Sequence, residues 1–98
     1  MKNAGQSKVT PLQEGELWVT KRMEASASTA LPGHTASTES VLVVTEGRCI
    51  FELRDARHHL TAGDSFVVPA EVWHQITADP AFKAVHVMPK DIRFKFSE

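Results

Sequence analysis

Apolar residues in this chain recur at every second position in short runs, and nowhere at the three-and-four spacing of an amphipathic helix. Leu17, Val19 and Met23 share one parity, with Glu16, Thr20 and Arg22 on the other. Cys49, Phe51 and Leu53 alternate with Arg48, Glu52 and Arg54, and Ile92, Phe94 and Phe96 alternate with Arg93, Lys95 and Ser97. Val41 to Val44 is a continuous β-branched and aliphatic run, as in a strand buried on both faces. Ser65 to Val68 and Ala84 to Met88 are short apolar runs ended by Pro69 and Pro89. Turn chemistry falls between them, at Pro32-Gly33, Glu46-Gly47, Arg54-Asp55, Gly63-Asp64, Pro69 and Asp79-Pro80. Residues 24–30 are rich in Ser, Thr and Ala, and with Pro32 following they read as a loop or irregular strand. Short strands with frequent turns predict an all-β sandwich or barrel.

The chain has 98 residues, 42% of them apolar, which suits one packed domain and leaves little room for a second core. Residues 1–8 are polar and read as a flexible tail, with a single domain over 9–98. Net charge is −1, and no basic stripe tracks along the chain. The cluster Lys90 to Lys95 is interrupted by Asp91 and suits a solvated strand face, so no nucleic acid is expected as a partner. No apolar run reaches the ~20 residues of a membrane helix, and the first residues lack the apolar stretch of a signal peptide. These features predict a soluble cytoplasmic protein with no membrane partner. Cys49 stands alone, so an internal disulfide is excluded, and its alternating run makes it a small core residue.

The most specific segment is Gly63-Asp64-Ser65-Phe66-Val67-Val68-Pro69-Ala70-Glu71-Val72-Trp73-His74. Gly63-Asp64 launches a strand, Pro69 stops it, and His74 begins a strand running back. The pattern resembles the second motif of the cupin family, Gly-x5-Pro-x-Gly-x2-His-x3-Asn. Gly63, Pro69 and His74 match at the right spacing, whereas Glu71 stands in place of Gly and Ala78 in place of Asn. A Gly at that point often serves a turn with positive φ. Upstream, Pro32-Gly33-His34 through Glu46-Gly47 resembles a degraded first cupin motif, His-x-His-x3–4-Glu-x6-Gly. The resemblance covers about residues 31–89. It implies a cupin-type double-stranded β-helix, a jelly-roll barrel of the RmlC-like kind, and a homodimer paired through terminal strands, with the Leu17–Val19 and Ile92–Phe96 segments as candidates.

In metal-binding cupins the first-motif histidines and glutamate join the second-motif histidine around one ion. This chain can be threaded onto that pattern in two registers. Counting back from Gly47 puts Ser40 in the glutamate position, His34 and Ala36 in the two histidine positions, and leaves only His34 and His74 as donors. The alternative takes His34-x4-Glu39 as the second His and the Glu, puts Pro32 in the first His position, and needs a β-bulge to absorb one residue before Gly47. His34, Glu39 and His74 would then form a two-His-one-carboxylate set for a divalent transition metal, Fe, Mn, Ni or Zn. A one-residue slip reverses every side chain, so the registers exclude each other. Apolar residues fill both parities of Val41 to Val44, so hydrophobicity cannot choose between them, and the first register is preferred because it needs no insertion.

The first register implies a small bacterial-type cupin that binds a small molecule in its barrel, with a degraded or absent metal site. His34, Ser40, His74 and His86 are then the candidate ligand-binding residues, because a ligand pocket is an apolar cavity with a few polar groups. His86 enters because it shares the parity of Ala84 and Met88 in the last apolar run. The second register implies a metal-dependent dioxygenase or isomerase. A third possibility is a sensory or interaction module acting through its dimer surface. His58-His59 read as part of a solvated hairpin, and Trp18 and Trp73 as core or interface residues, with Trp73 facing away from His74.

Overall fold

The computed structural model describes residues 6–96. Eight strands account for most of them: β1 (Ser7–Glu14), β2 (Trp18–Ala25), β3 (His34–Ala36), β4 (Ser40–Leu53), β5 (Arg57–Thr61), β6 (Ser65–Val68), β7 (His74–Pro89) and β8 (Phe94–Phe96). All pairings are antiparallel, and they join into one sheet folded onto itself. Ser7 and Lys8, read from sequence as tail, lie in β1, whereas residues 1–5 fall outside the described residues.

Two long strands organise the fold. β4 and β7 pair from Val41↔Val87 to Leu53↔His74 and pass together from one half of the barrel to the other. In the first half β1 and β2 flank the end of β7, and β6 flanks the start of β4. In the second half β3 and β8 flank the start of β7, and β5 flanks the end of β4. This is the jelly-roll arrangement expected from the sequence.

The change of half occurs where the sequence reads two turns, Glu46-Gly47 and Asp79-Pro80. Neither is a turn. β4 runs through Gly47 and β7 through Pro80, and the register between them slips on either side of Gly47. Gly47 sits at φ 72°, and a side chain there would run into the Ala81 carbonyl. A bulge glycine and a turn glycine meet the same conformational demand, so local sequence cannot separate them. The slip has a consequence for the core. Inward residues of β4 are even-numbered before it (Ser40, Leu42, Val44) and odd-numbered after it (Cys49, Phe51). β7 keeps one parity throughout, and its even-numbered residues from His74 to Met88 face inward, apart from the exposed Pro80 at the bend.

The segment after β2 turns at Ala27 and Ser28, both with positive φ, then makes a single bridge from Ala30 to Thr77. Of residues 24–30, read as loop or irregular strand, Glu24 and Ala25 belong to the regular strand β2 and only the remainder is irregular. Cys49 is fully buried, and burial, with the charge of Asp79, pushes its thiol up to about 11, so it is an inert core residue.

Candidate functional site

The two halves pack closely at the bend and part at the other end, leaving a cavity of about 370 Å³. Met23, Leu42, Phe51, Ile76 and Met88 form much of its wall. Against that apolar lining stand three histidines, His34, His74 and His86.

Each histidine is placed by a different local device. The chain leaves β6 at Pro69 and turns through Glu71 at φ 61°, whose N–H donates to the Ala36 carbonyl at 2.8 Å. This is the positive-φ turn that the sequence pattern calls for, here carried by a glutamate. His74 then opens β7, pointing inward and only 3% exposed. His34 opens β3 and pairs directly with His74 across the sheet. Trp73 faces the opposite side, against Gly33, with the Arg54 guanidinium 5.4 Å from its ring centre. His86 lies in the other half of β7, on the inward parity of Ala84 and Met88.

The hydrogen bonds fix the tautomers of two rings. His34 Nδ1 is 3.2 Å from the Pro32 carbonyl, and His74 Nδ1 is 3.1 Å from the Val72 carbonyl. A carbonyl oxygen can only accept, so each Nδ1–H donates to it. Both Nε2 atoms are then left as acceptors, and they face each other at 3.0 Å. Two lone pairs at that separation call for a hydrogen between them, supplied by a shared proton or by a donor on a bound molecule. Phe51 stacks on His74, and Phe94 and Phe96 meet His34 edge-on, which holds both rings in place. Burial lowers the pKa of His34 and of His74, opposed in each case by the carbonyl bond, and His34 further lowers His74.

His86 is set apart from this pair by its partner. Its Nε2 lies 2.7 Å from Ser40 Oγ in a buried hydrogen bond. Burial, reinforced by repulsion from His34, His74 and Lys21, pushes its pKa down to about 4. It is a neutral imidazole at physiological pH.

The first-motif strand therefore presents Ser40 inward, 3% exposed and bonded to His86, and Glu39 outward. The metal-ligand set His34, Glu39 and His74 is not brought together. Glu39 precedes β4 and is exposed, because Ser40 continues the inward parity of Leu42 and Val44. Ala36 stands at the family's other histidine position. Among the described residues no three His, Cys, Asp or Glu side chains are arranged to hold an ion. The donors present, two facing imidazoles without a carboxylate, do not fit a resident metal, and no chemistry is routed through one.

Two residues of the cavity escape the sequence patterns. Phe94, read as an interface residue, lines the cavity and packs 5.1 Å from His34. Lys21 also lines it, half-buried, directly opposite His86 in the β2–β7 pairing. A signal for Lys21 exists: it is the one charged residue on the inward parity Val19, Lys21, Met23, Ala25. The remaining histidines lie elsewhere. His58 packs on Phe66 and His59 is exposed.

A jelly-roll barrel with a histidine-bearing cavity between its two halves defines a double-stranded β-helix class. The chain belongs to the cupin family, matching the cupin domain (Cupin_2) over residues 19–88. Solved structures agree. A cupin superfamily protein from Desulfitobacterium hafniense has a TM-score of 0.79 at 16% identity, over 88% of this chain and 79% of that one. A cupin-2 domain protein from Shewanella frigidimarina has 0.76 at 24%, over 85% and 80%. Salicylate 1,2-dioxygenase from Pseudoaminobacter salicylatoxidans, seen with gentisate, has 0.81 at 18%, over 93% of this chain but only 29% of the enzyme. At these identities the likeness is one of fold. Among curated proteins none matches the chain.

Proposed function

We propose that this cupin binds a small organic molecule in its barrel and does so without a resident metal. The observation that carries the reading is the cavity of about 370 Å³, an apolar chamber into which His34, His74 and His86 converge. That combination, apolar walls with a few placed polar groups, is what holds and orients a small ligand. His34, His74 and the neutral His86, held by Ser40, supply those polar groups. The dioxygenase likeness supports small-molecule binding in this kind of barrel more than it supports oxygen chemistry, because Ser40 fills the place of the family's carboxylate.

Ligand-observed NMR with a set of single-ring fragments tests this on the full chain. Fragments should bind the wild type and lose binding to Met88→Trp, whose indole fills the chamber, provided that the variant keeps its circular dichroism spectrum. Equal binding to both proteins would place the fragments elsewhere and sink the reading.

The protein works as a homodimer in this proposal. Leu17 and Trp18, exposed at the start of β2, and Phe96, exposed on the edge strand β8, supply apolar surface that pairing would cover. Light scattering should give twice the chain mass, and Trp18→Glu should lower it. A monomeric wild type at all concentrations tested would refute the pairing.

A further inference from the structure

Every fully charged side chain lining the cavity is a cation. Lys21 and Lys8 are there, and no Asp or Glu is among the described residues of its wall. Lys21 is the informative one. It sits half-buried on the inner face of β2, at a position where Met23 and Ala25 are core residues. No carboxylate forms an ion pair with it among the described residues; the ion pairs that form are Lys83–Glu46 and Lys90–Glu14, on the exterior. An ammonium on an inward face, with an imidazole as its cross-strand neighbour and no paired carboxylate, is left to meet a negative group that enters the cavity. Lys8, on β1 at the rim, has Glu24 as its cross-strand neighbour, so Lys21 carries the charge of the cavity. A cleft lined by one sign of charge with low-dielectric walls gathers ions of the other sign.

We propose that the ligand is an organic anion: an apolar, ring-bearing or branched carboxylate, its carboxylate at Lys21 and its apolar part against Met23, Phe51 and Met88. This rests on the small-molecule reading above and names the chemical class. The carboxylate accepts from the Lys21 ammonium in a hydrogen bond between opposite charges, whereas a neutral amide carbonyl accepts the same bond without the charge–charge attraction. Lys21 rather than a histidine provides the charge, so preference for the anion persists above neutral pH, where all three imidazoles are neutral.

The test uses the full chain and two probes of one shape, 3-phenylpropanoate and its neutral amide, 3-phenylpropanamide, titrated by calorimetry above neutral pH in low salt. The carboxylate should bind at least about tenfold tighter than the amide, in keeping with a charged hydrogen bond. Lys21→Met should erase that preference, Lys21→Arg should keep most of it, and Lys8→Met should reduce it only slightly. Backbone amide NMR shifts should place the probe at Lys21 and His86 in the wild type. Equal affinity for the two probes, with both displaced by Met88→Trp, overturns the anion proposal and leaves the small-molecule reading standing. Carboxylate preference that survives Lys21→Met overturns the role of Lys21. No binding of the carboxylate up to its solubility limit overturns the proposal outright, whatever the fragment screen shows.

Discussion

The inner face of this barrel is made of two different materials. At the bend, where β4 and β7 cross from one half to the other, Val44, Cys49, Ala78, Phe82 and Ala84 pack with no polar side chain among them. At the mouth, Ser40, His34, His74, His86 and Lys21 share the inner face with Phe51, Ile76 and Met88 around open volume. β4 and β7 supply residues to both regions, while His34 on β3 and Lys21 on β2 enter only the mouth. The contrast teaches that the bend is built for stability, while the mouth holds the polar groups on which the proposed binding rests. Apolar burial contributes roughly 25 cal/mol per Å² at the bend, while the mouth holds polar groups that weaken the fold unless each is bonded.

The largest expected effect tests the bend. Phe82 is almost wholly buried and packs where the two halves meet. Phe82→Ala should cost about 3–5 kcal/mol, read from urea unfolding, because it removes a large apolar side chain and leaves a cavity. A loss below about 1 kcal/mol would break the comparison, since the bend would then be no better packed than the mouth.

Next in size is the pH response of the mouth. The unfolded chain protonates His86 near 6.5, while the folded protein resists until about 4. Between those values the unfolded state binds more protons, so the stability held above pH 6.5 is lost progressively as the pH falls toward 4. The loss from His86 is on the order of 3 kcal/mol. His34 and His74, also shifted down by burial, push the same way. Urea midpoints measured across that window should fall with pH, and His86→Leu should flatten the curve. A curve as steep in His86→Leu as in the wild type would remove His86 as its cause.

These two effects also mark what could be read in the sequence. Cys49 follows from period-2 alternation and His74 from Gly63-x5-Pro69-x4-His74, because both signals are local, whereas Ala78 and Phe82 fall in none of the runs read from sequence. The route of β4 does not follow. Gly47 satisfies a bulge and a turn equally, and the bulge decides which parity of the later residues faces in. Hydrophobicity could not decide whether Glu39 or Ser40 enters the barrel, for a related reason. Val41 and Val43, outward, are half-buried and apolar like their inward neighbours Leu42 and Val44, so hydrophobicity carries no parity signal there. Lys21 was legible only as an exception to a pattern. An exception acquires meaning once the neighbouring strand shows His86 beside it.

A smaller effect separates the two polar corners of the mouth. Ser40→Ala deletes the bonded partner of His86 Nε2 in a buried setting. The expected cost is about 1–3 kcal/mol, the penalty of an orphaned buried polar atom. His34→Phe should cost less, because it also removes one of the two facing acceptors and thereby relieves the other. Thermal unfolding of the two variants checks the order. His34→Phe as damaging as Ser40→Ala would mean that the His34–His74 contact is a bonded pair with a resident proton and not an acceptor site awaiting one.

The smallest effect has the opposite sign. Glu71 holds φ 61° in the turn that delivers His74, a conformation that costs a side-chain-bearing residue roughly 1 kcal/mol. Its side chain is exposed, and its N–H keeps the bond to Ala36 whatever the side chain. Glu71→Gly therefore removes strain without removing a contact, partly offset by the greater freedom that glycine has in the unfolded chain. A gain of up to about 1 kcal/mol is expected, read as a raised urea midpoint. The sign matters more than the size. A gain at Glu71 together with the loss at Phe82 would show strain retained in the turn that places His74 and relaxed packing nowhere at the bend. A loss in Glu71→Gly would mean that the glutamate side chain stabilises the turn, and the mouth would then be as well adapted for stability as the bend.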